Sequence, residues 1–119
     1  MQKKFKIFFY QSRDGKSPVF EFLEELHHSN NPKNIELYDR ILVKLKLLEL
    51  EGSFLGMPHV KLLQDKIWEL RIKNERILYV TIIGNNIYLL HCFTKKTQKT
   101  PRNDLKIAIK RYKELVTEK

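Results

Sequence analysis

The sequence predicts an α+β fold: one domain over residues 1–119, ordered β-α-α-β-β-β-α, an antiparallel meander sheet with its helices packed on one face. Three observations carry this. Long stretches repeat apolar residues at three- and four-residue spacing. Three consecutive β-prone segments are separated by short turn signals. A length of 119 residues with 42% hydrophobic content suits one domain with a real core.

The first element is a strand over residues 4 to 10, aromatic and β-prone, closed by the turn signal Asp14-Gly15. Ser17-Pro18 then reads as an N-cap followed by proline at the first helical position, with Val19, Phe22, Leu23 and Leu26 at helical spacing. After the breaker Ser29-Asn30-Asn31-Pro32, a longer helix follows. Ile35, Tyr38, Ile41, Leu42, Leu45 and Leu48 form its stripe, and Gly52 ends it. Residues 52 to 65 hold Gly52, Gly56 and Pro58, show no sustained period and read as an irregular connection. Strands follow at about 66 to 73, 76 to 83 and 87 to 94. Thr100-Pro101 repeats the N-cap-plus-proline start, and Leu105, Ala108, Ile109, Tyr112 and Val116 form the stripe of a terminal helix.

Lys and Arg number 23 against 14 Asp and Glu, a net charge of +9, which points to a polyanionic partner. The single cysteine, Cys92, excludes an internal disulfide framework and a thiolate zinc cluster, as expected in a reducing cytoplasm. The apolar run near the N-terminus is too short for a signal peptide, and no segment approaches the roughly 18 apolar residues of a membrane span. A cytoplasmic location without membrane association is the expectation.

Register sharpens the charge argument. A two-residue turn at Asn74-Glu75 sets Lys73 opposite Arg76 and Arg71 opposite Leu78. Glu69, Arg71, Lys73 and Arg76 then share one face, while Trp68, Leu70, Ile72, Ile77 and Tyr79 form the core face. A turn at 84 to 87 pairs Ile83 with Tyr88 and Arg76 with Lys95, adding His91, Phe93 and Lys95 to the charged side. Like charges across a ladder weaken a sheet by some tenths of a kcal/mol per pair, so the pattern points to a phosphate site. The alternative is the solvated face of a one-sided sheet. Beyond the last strand, Lys95, Lys96, Lys99 and Arg102 gather beside a helix start, where anions are favoured, although a solvated loop has the same composition.

The chain has no Gly-rich phosphate loop, HExxH motif or Cys/His ligand set, so neither a metal nor another cofactor is expected. RNA offers a metal-independent route in which its 2′-hydroxyl attacks the adjacent phosphorus. Preorganised arginines and lysines suit the charge that develops there. Glu69, His91, or a lysine whose pKa is lowered by cationic neighbours is a candidate proton-transfer group, and Glu69 is equally a partner for Arg71 or Lys73. His59 lies in the irregular connection, and His27-His28 at a helix end suits the dipole.

The blocks Ile67-Trp68-Glu69-Leu70-Arg71-Ile72, Arg76-Ile77-Leu78-Tyr79 and Leu90 through Pro101, with its Phe93-Thr94-Lys95-Lys96-Thr97-Gln98-Lys99-Thr100-Pro101 run, together resemble the HigB-like, phage-associated branch of the RelE toxin superfamily. The resemblance implies a RelE-like domain and a ribosome-dependent endoribonuclease. Such a toxin cuts messenger RNA in the ribosomal A site, leaving a 2′,3′-cyclic phosphate or 3′-phosphate and a 5′-hydroxyl. It implies catalytic roles for Arg71, Arg76, Lys95 and Lys96. It also implies a HigA-type helix-turn-helix antitoxin bound in a hetero-oligomer. Glu69 and His91 complete the candidate catalytic set, with Lys73, Lys99 and Arg102 as RNA-binding residues. The RelE branch carries lysines on the strand where this chain has Ile67 and Glu69, so general acid and base stay open. Two alternatives from other classes are a non-catalytic basic nucleic-acid-binding module and a phage factor that binds a host protein.

Overall fold

The structure, a computed structural model, describes residues 3–117. Strand β1 (Lys6–Phe9) leads into helices α1 (Pro18–His27) and α2 (Pro32–Glu51), followed by a single 3-10 turn (Gly52–Leu55). Strands β2 (Val60–Gln64), β3 (Ile67–Ile72), β4 (Glu75–Ile82) and β5 (Asn86–Thr94) come next, and helix α3 (Arg102–Thr117) closes the fold. The α+β class and the expected elements are present. The sheet has one strand more than expected: five strands in the order β1-β5-β4-β3-β2, with β1 parallel to β5 and the other pairs antiparallel.

β2 comes from the stretch read as irregular. It is an edge strand with only Val60 buried and a register shift between Leu62 and Gln64, so it has no alternation to betray it. The helices also cover both faces of the sheet rather than one. α1 and α2 contribute Val19, Leu23, Leu26, Ile41, Leu45 and Leu48 to a core with Leu70, Ile72, Ile77, Tyr79, Ile87 and Leu89. On the other face α3 packs Ala108, Leu105, Ile109 and Tyr112 against Ile67, Leu78, Val80 and Leu90. The consecutive buried residues Ile77, Leu78, Tyr79 and Val80 show why: a strand apolar on both sides needs cover on both sides.

Local chemistry fixes the element ends. Asn31 caps α2 by accepting from the Lys33 backbone N–H at 2.9 Å. Gly52 ends α2 at φ 57°, a left-handed conformation, and a Cβ there would meet the Phe5 ring at 2.5 Å. Ser17 occupies the α1 cap position, yet its hydroxyl donates to the Tyr10 carbonyl at 2.8 Å, while Glu21 accepts from the Ser17 N–H. α3 begins at Arg102, and the Thr100 hydroxyl is used elsewhere.

Both hairpin turns differ from expectation. The first turn is Lys73-Asn74, so Arg71 faces Arg76 and Glu69 faces Leu78. This is a slip of two residues, which leaves the paired side chains Glu69, Arg71, Arg76 and Leu78 on their expected face, whereas Lys73 falls in the turn itself. The second loop is Ile83-Gly84-Asn85, and a bulge places Leu90 outside the pairing between Tyr79↔Leu89 and Leu78↔His91. The bulge restores the alternation beyond it, so Arg76 faces Phe93 and the charged corner survives.

Candidate active site

α3 covers the β4–β5 side of its face and leaves the β2–β3–β4 corner to polar residues. At the centre of that corner lies Glu69, with 0% exposure. Its Oε2 accepts from Arg71 Nε at 2.9 Å and lies 3.8 Å from Arg76 Nε; its Oε1 accepts from the Thr100 hydroxyl at 2.8 Å. Arg71 and Arg76 are direct cross-strand partners, an arrangement that repels unless a counter-charge intervenes. Glu69 is that counter-charge. Arg76 is further tied to the hairpin, donating through Nη1 to the Lys73 and Glu75 carbonyls at 2.6 and 3.0 Å. Its Nε is buried without a hydrogen bond among the described residues. Arg71 spends only Nε on Glu69, and its two terminal nitrogens make no hydrogen bond among the described residues.

The electrostatics follow from this packing. Burial works to raise the Glu69 pKa, but hydrogen bonds from Arg71 and Thr100 and the charges of Lys95 and Arg71 outweigh it, so the carboxyl stays below its usual range. Lys95 is lowered from the ordinary lysine range by partial burial and by the charges of Arg76, Arg71 and Lys61, against the opposing pull of Glu69. Lys61 stands opposite Glu69 on β2 and so belongs to the same face. A shallow depression of ≈ 450 Å³ beside the cluster is lined by Asn74, Arg76, Lys95, Lys96, Thr97 and Gln98. A corner rich in cations with spare N–H donors is suited to holding an oxyanion such as a phosphodiester.

Residues 21–113 match the profile of a family described as phage derived protein Gp49-like (DUF891). The chain belongs to the Gp49-like family. The matched span contains every residue of the cluster, and the α+β architecture around it is consistent with a RelE-like fold. No curated protein matches the chain. No helix among the described residues of this Gp49-like protein is long and apolar enough to cross a membrane.

Of the residues singled out in the sequence, the Gp49-like fold brings Glu69, Arg71, Arg76 and Lys95 together, with Lys96 on the rim. Lys73 is not among them. As a turn residue at φ 53° it reaches the opposite side, where its Nζ donates to Glu36 on α2 at 3.1 Å. Lys99 and Arg102 are exposed, Lys99 in the loop after β5 and Arg102 at the start of α3. His91 shares the face but stands two strands from Glu69, with Leu78 between them, roughly 10 Å at strand spacing.

The surroundings of His91 differ from those of the arginine cluster. Its Nε2 lies 2.7 Å from Asp104 Oδ1 on α3, and Arg111 Nη1 faces its Nδ1 at 3.4 Å. A guanidinium only donates, so Nδ1 accepts and the ring proton sits on Nε2, donated to Asp104. His59 accepts the Arg71 backbone N–H through its carbonyl at 2.9 Å, while its ring Nδ1 pairs with Lys44 Nζ of α2 at 2.6 Å rather than with a side chain of the cluster. Two members of the corner escaped sequence reasoning. Lys61 was hidden in the unrecognised strand, and Thr100 looked like an ordinary helix cap.

Proposed function

We propose that this Gp49-like protein is the toxin of a type II toxin–antitoxin pair and cleaves messenger RNA on the ribosome without a metal. The single observation that carries the reading is the pairing of Arg71 and Arg76 around a sealed Glu69, which leaves guanidinium N–H groups free beside Lys95 and Lys61. Such donors, fixed before substrate arrives, stabilise charge developing on phosphoryl oxygens without reorganising. In this reading the 2′-oxygen attacks the adjacent phosphorus and the bond to the 5′-oxygen breaks. The products are a 2′,3′-cyclic phosphate and a 5′-hydroxyl. Arg71 and Arg76 hold the two non-bridging oxygens.

We assign the removal of the 2′-hydroxyl proton to Lys95, whose lowered pKa raises the share of free amine at neutral pH. Lys96 returns a proton to the leaving 5′-oxygen. Lys99 and Arg102 extend the phosphate path along the loop. His91, saturated by Asp104 and Arg111, takes no part in proton transfer in this scheme. A HigA-type helix-turn-helix antitoxin, bound in a hetero-oligomer, is the neutralising partner. The test is to induce the wild type and an Arg71→Ala/Arg76→Ala variant in cells and map messenger RNA 5′ ends. New ends with the wild type alone support the reading. Growth arrest without new ends overturns it in favour of a non-catalytic binding module, and equal cleavage by the variant overturns the site assignment.

A further inference from the structure

We infer that Thr100 is a positioning residue for the arginine pair, acting through Glu69; the inference rests on the nuclease reading for its catalytic consequence and on geometry for the clamp itself. A threonine before Pro101 at the mouth of a helix ordinarily caps backbone N–H groups two or three residues ahead. Here its hydroxyl donates instead to Glu69 Oε1 at 2.8 Å, 31 residues away in sequence. Glu69 has 0% exposure, so each oxygen must find its donors within the protein. Oε1 is served by Thr100 and Oε2 by Arg71 Nε at 2.9 Å. Fixing one oxygen fixes the carboxylate plane, and the plane fixes which edge of the Arg71 guanidinium faces inward. The terminal nitrogens are thereby reserved for the ligand.

The same bond joins the loop to the sheet. Thr100 follows Lys95 through Lys99, so its bond to β3 helps hold the segment that carries Lys95 and Lys96 against the strands that carry Arg71 and Arg76. Lys95 is held from its other end as well, its backbone N–H donating to the Asn74 carbonyl at 2.7 Å. Thr100 contributes no charge and need not touch RNA. Its role is to make one geometry of the carboxylate and the loop the preferred one before substrate binds.

Thr100→Val keeps the shape and removes the hydroxyl, while Thr100→Ser keeps the hydroxyl. On ribosomes programmed with a defined message, Thr100→Val should lower kcat about tenfold or more and change binding to a 2′-O-methylated, uncleavable message less than about threefold, with Thr100→Ser within about twofold of wild type. Independently of cleavage, the Arg71 Nε–H should exchange with solvent faster in Thr100→Val than in wild type or Thr100→Ser. That signal is read by NMR and assigned by its loss in Arg71→Lys. Unchanged Arg71 exchange in Thr100→Val overturns the clamp, as does a serine variant that fails as badly as valine. A wild type that cuts no RNA overturns the nuclease reading, and the exchange measurement alone then decides the clamp.

Discussion

Glu69 accepts a 2.9 Å hydrogen bond from Arg71 Nε at a position with no solvent exposure, so the one buried acid of the sheet is spent on a cation of the proposed site. A free carboxylate so placed would be costly to bury; a bare Arg71–Arg76 cross-strand pair would repel. Each arrangement is tolerable because of the other.

Removing that acid should therefore destabilise the fold. Glu69→Gln leaves Arg71, Arg76 and Lys95 without their counter-charge, and a loss of roughly 3 kcal/mol is expected from urea unfolding at neutral pH. The pH dependence has a definite sign. The folded pKa of Glu69 lies below the ordinary 4.5, so its stabilisation is complete above that value and fades as pH falls through the folded pKa. The gap between wild type and Glu69→Gln should accordingly be constant above about pH 5 and narrow below it. A gap that widens in acid contradicts the assignment.

Arg71→Lys keeps the charge but loses both the Nε donor to Glu69 and the planar fork. A fall of about 100-fold in cleavage is expected, with little recovery at higher pH. Activity within a few-fold of wild type on primer-extension assays of cut messages would show that only charge matters at this position.

Lys61, opposite Glu69 on the edge strand, should contribute phosphate contact without chemistry. Measured against single-stranded RNA over a salt series, Lys61→Ala should reduce the slope of log K against log salt by roughly 0.7 and leave the site of cutting unchanged. An unaltered slope removes Lys61 from the binding surface.

Cys92 lies on the α1–α2 side of β5, and burial together with the charge of Glu75 pushes its thiol up to about 12. The thiolate is the reactive species, so a thiol reagent at pH 8 should label unfolded protein and leave the native protein unmodified. Fast labelling of native protein would mean that the β5 packing opens readily.

Ile83 occupies the β4–β5 loop at φ 39° and is 68% exposed, a left-handed conformation that a β-branched residue resists. Ile83→Gly relieves that strain without surrendering buried contacts, and the urea midpoint should rise by the equivalent of about 1 kcal/mol. An unchanged midpoint argues that the loop relaxes at no cost.

What the sequence determined by itself was local or parity-based. Proline and cap residues placed the start of α1 and Gly52 the end of α2, while the alternation of Trp68 to Ile72 assigned Glu69 and Arg71 to one face and Leu70 and Ile72 to the other. That assignment survived a two-residue error in the turn because side chains repeat every two residues. Only the tertiary structure decided the rest. β2 became a strand because β3 offered it an edge, and the bulge at Leu90 let the second hairpin keep the charged corner despite a three-residue loop. Thr100 was drawn from a cap position to a carboxylate 31 residues away, and Lys73 was turned to the opposite side by a left-handed turn. These depend on contacts between residues distant in the chain, whose energies no local pattern records, and they convert a basic sheet face into an arginine pair built around one buried acid.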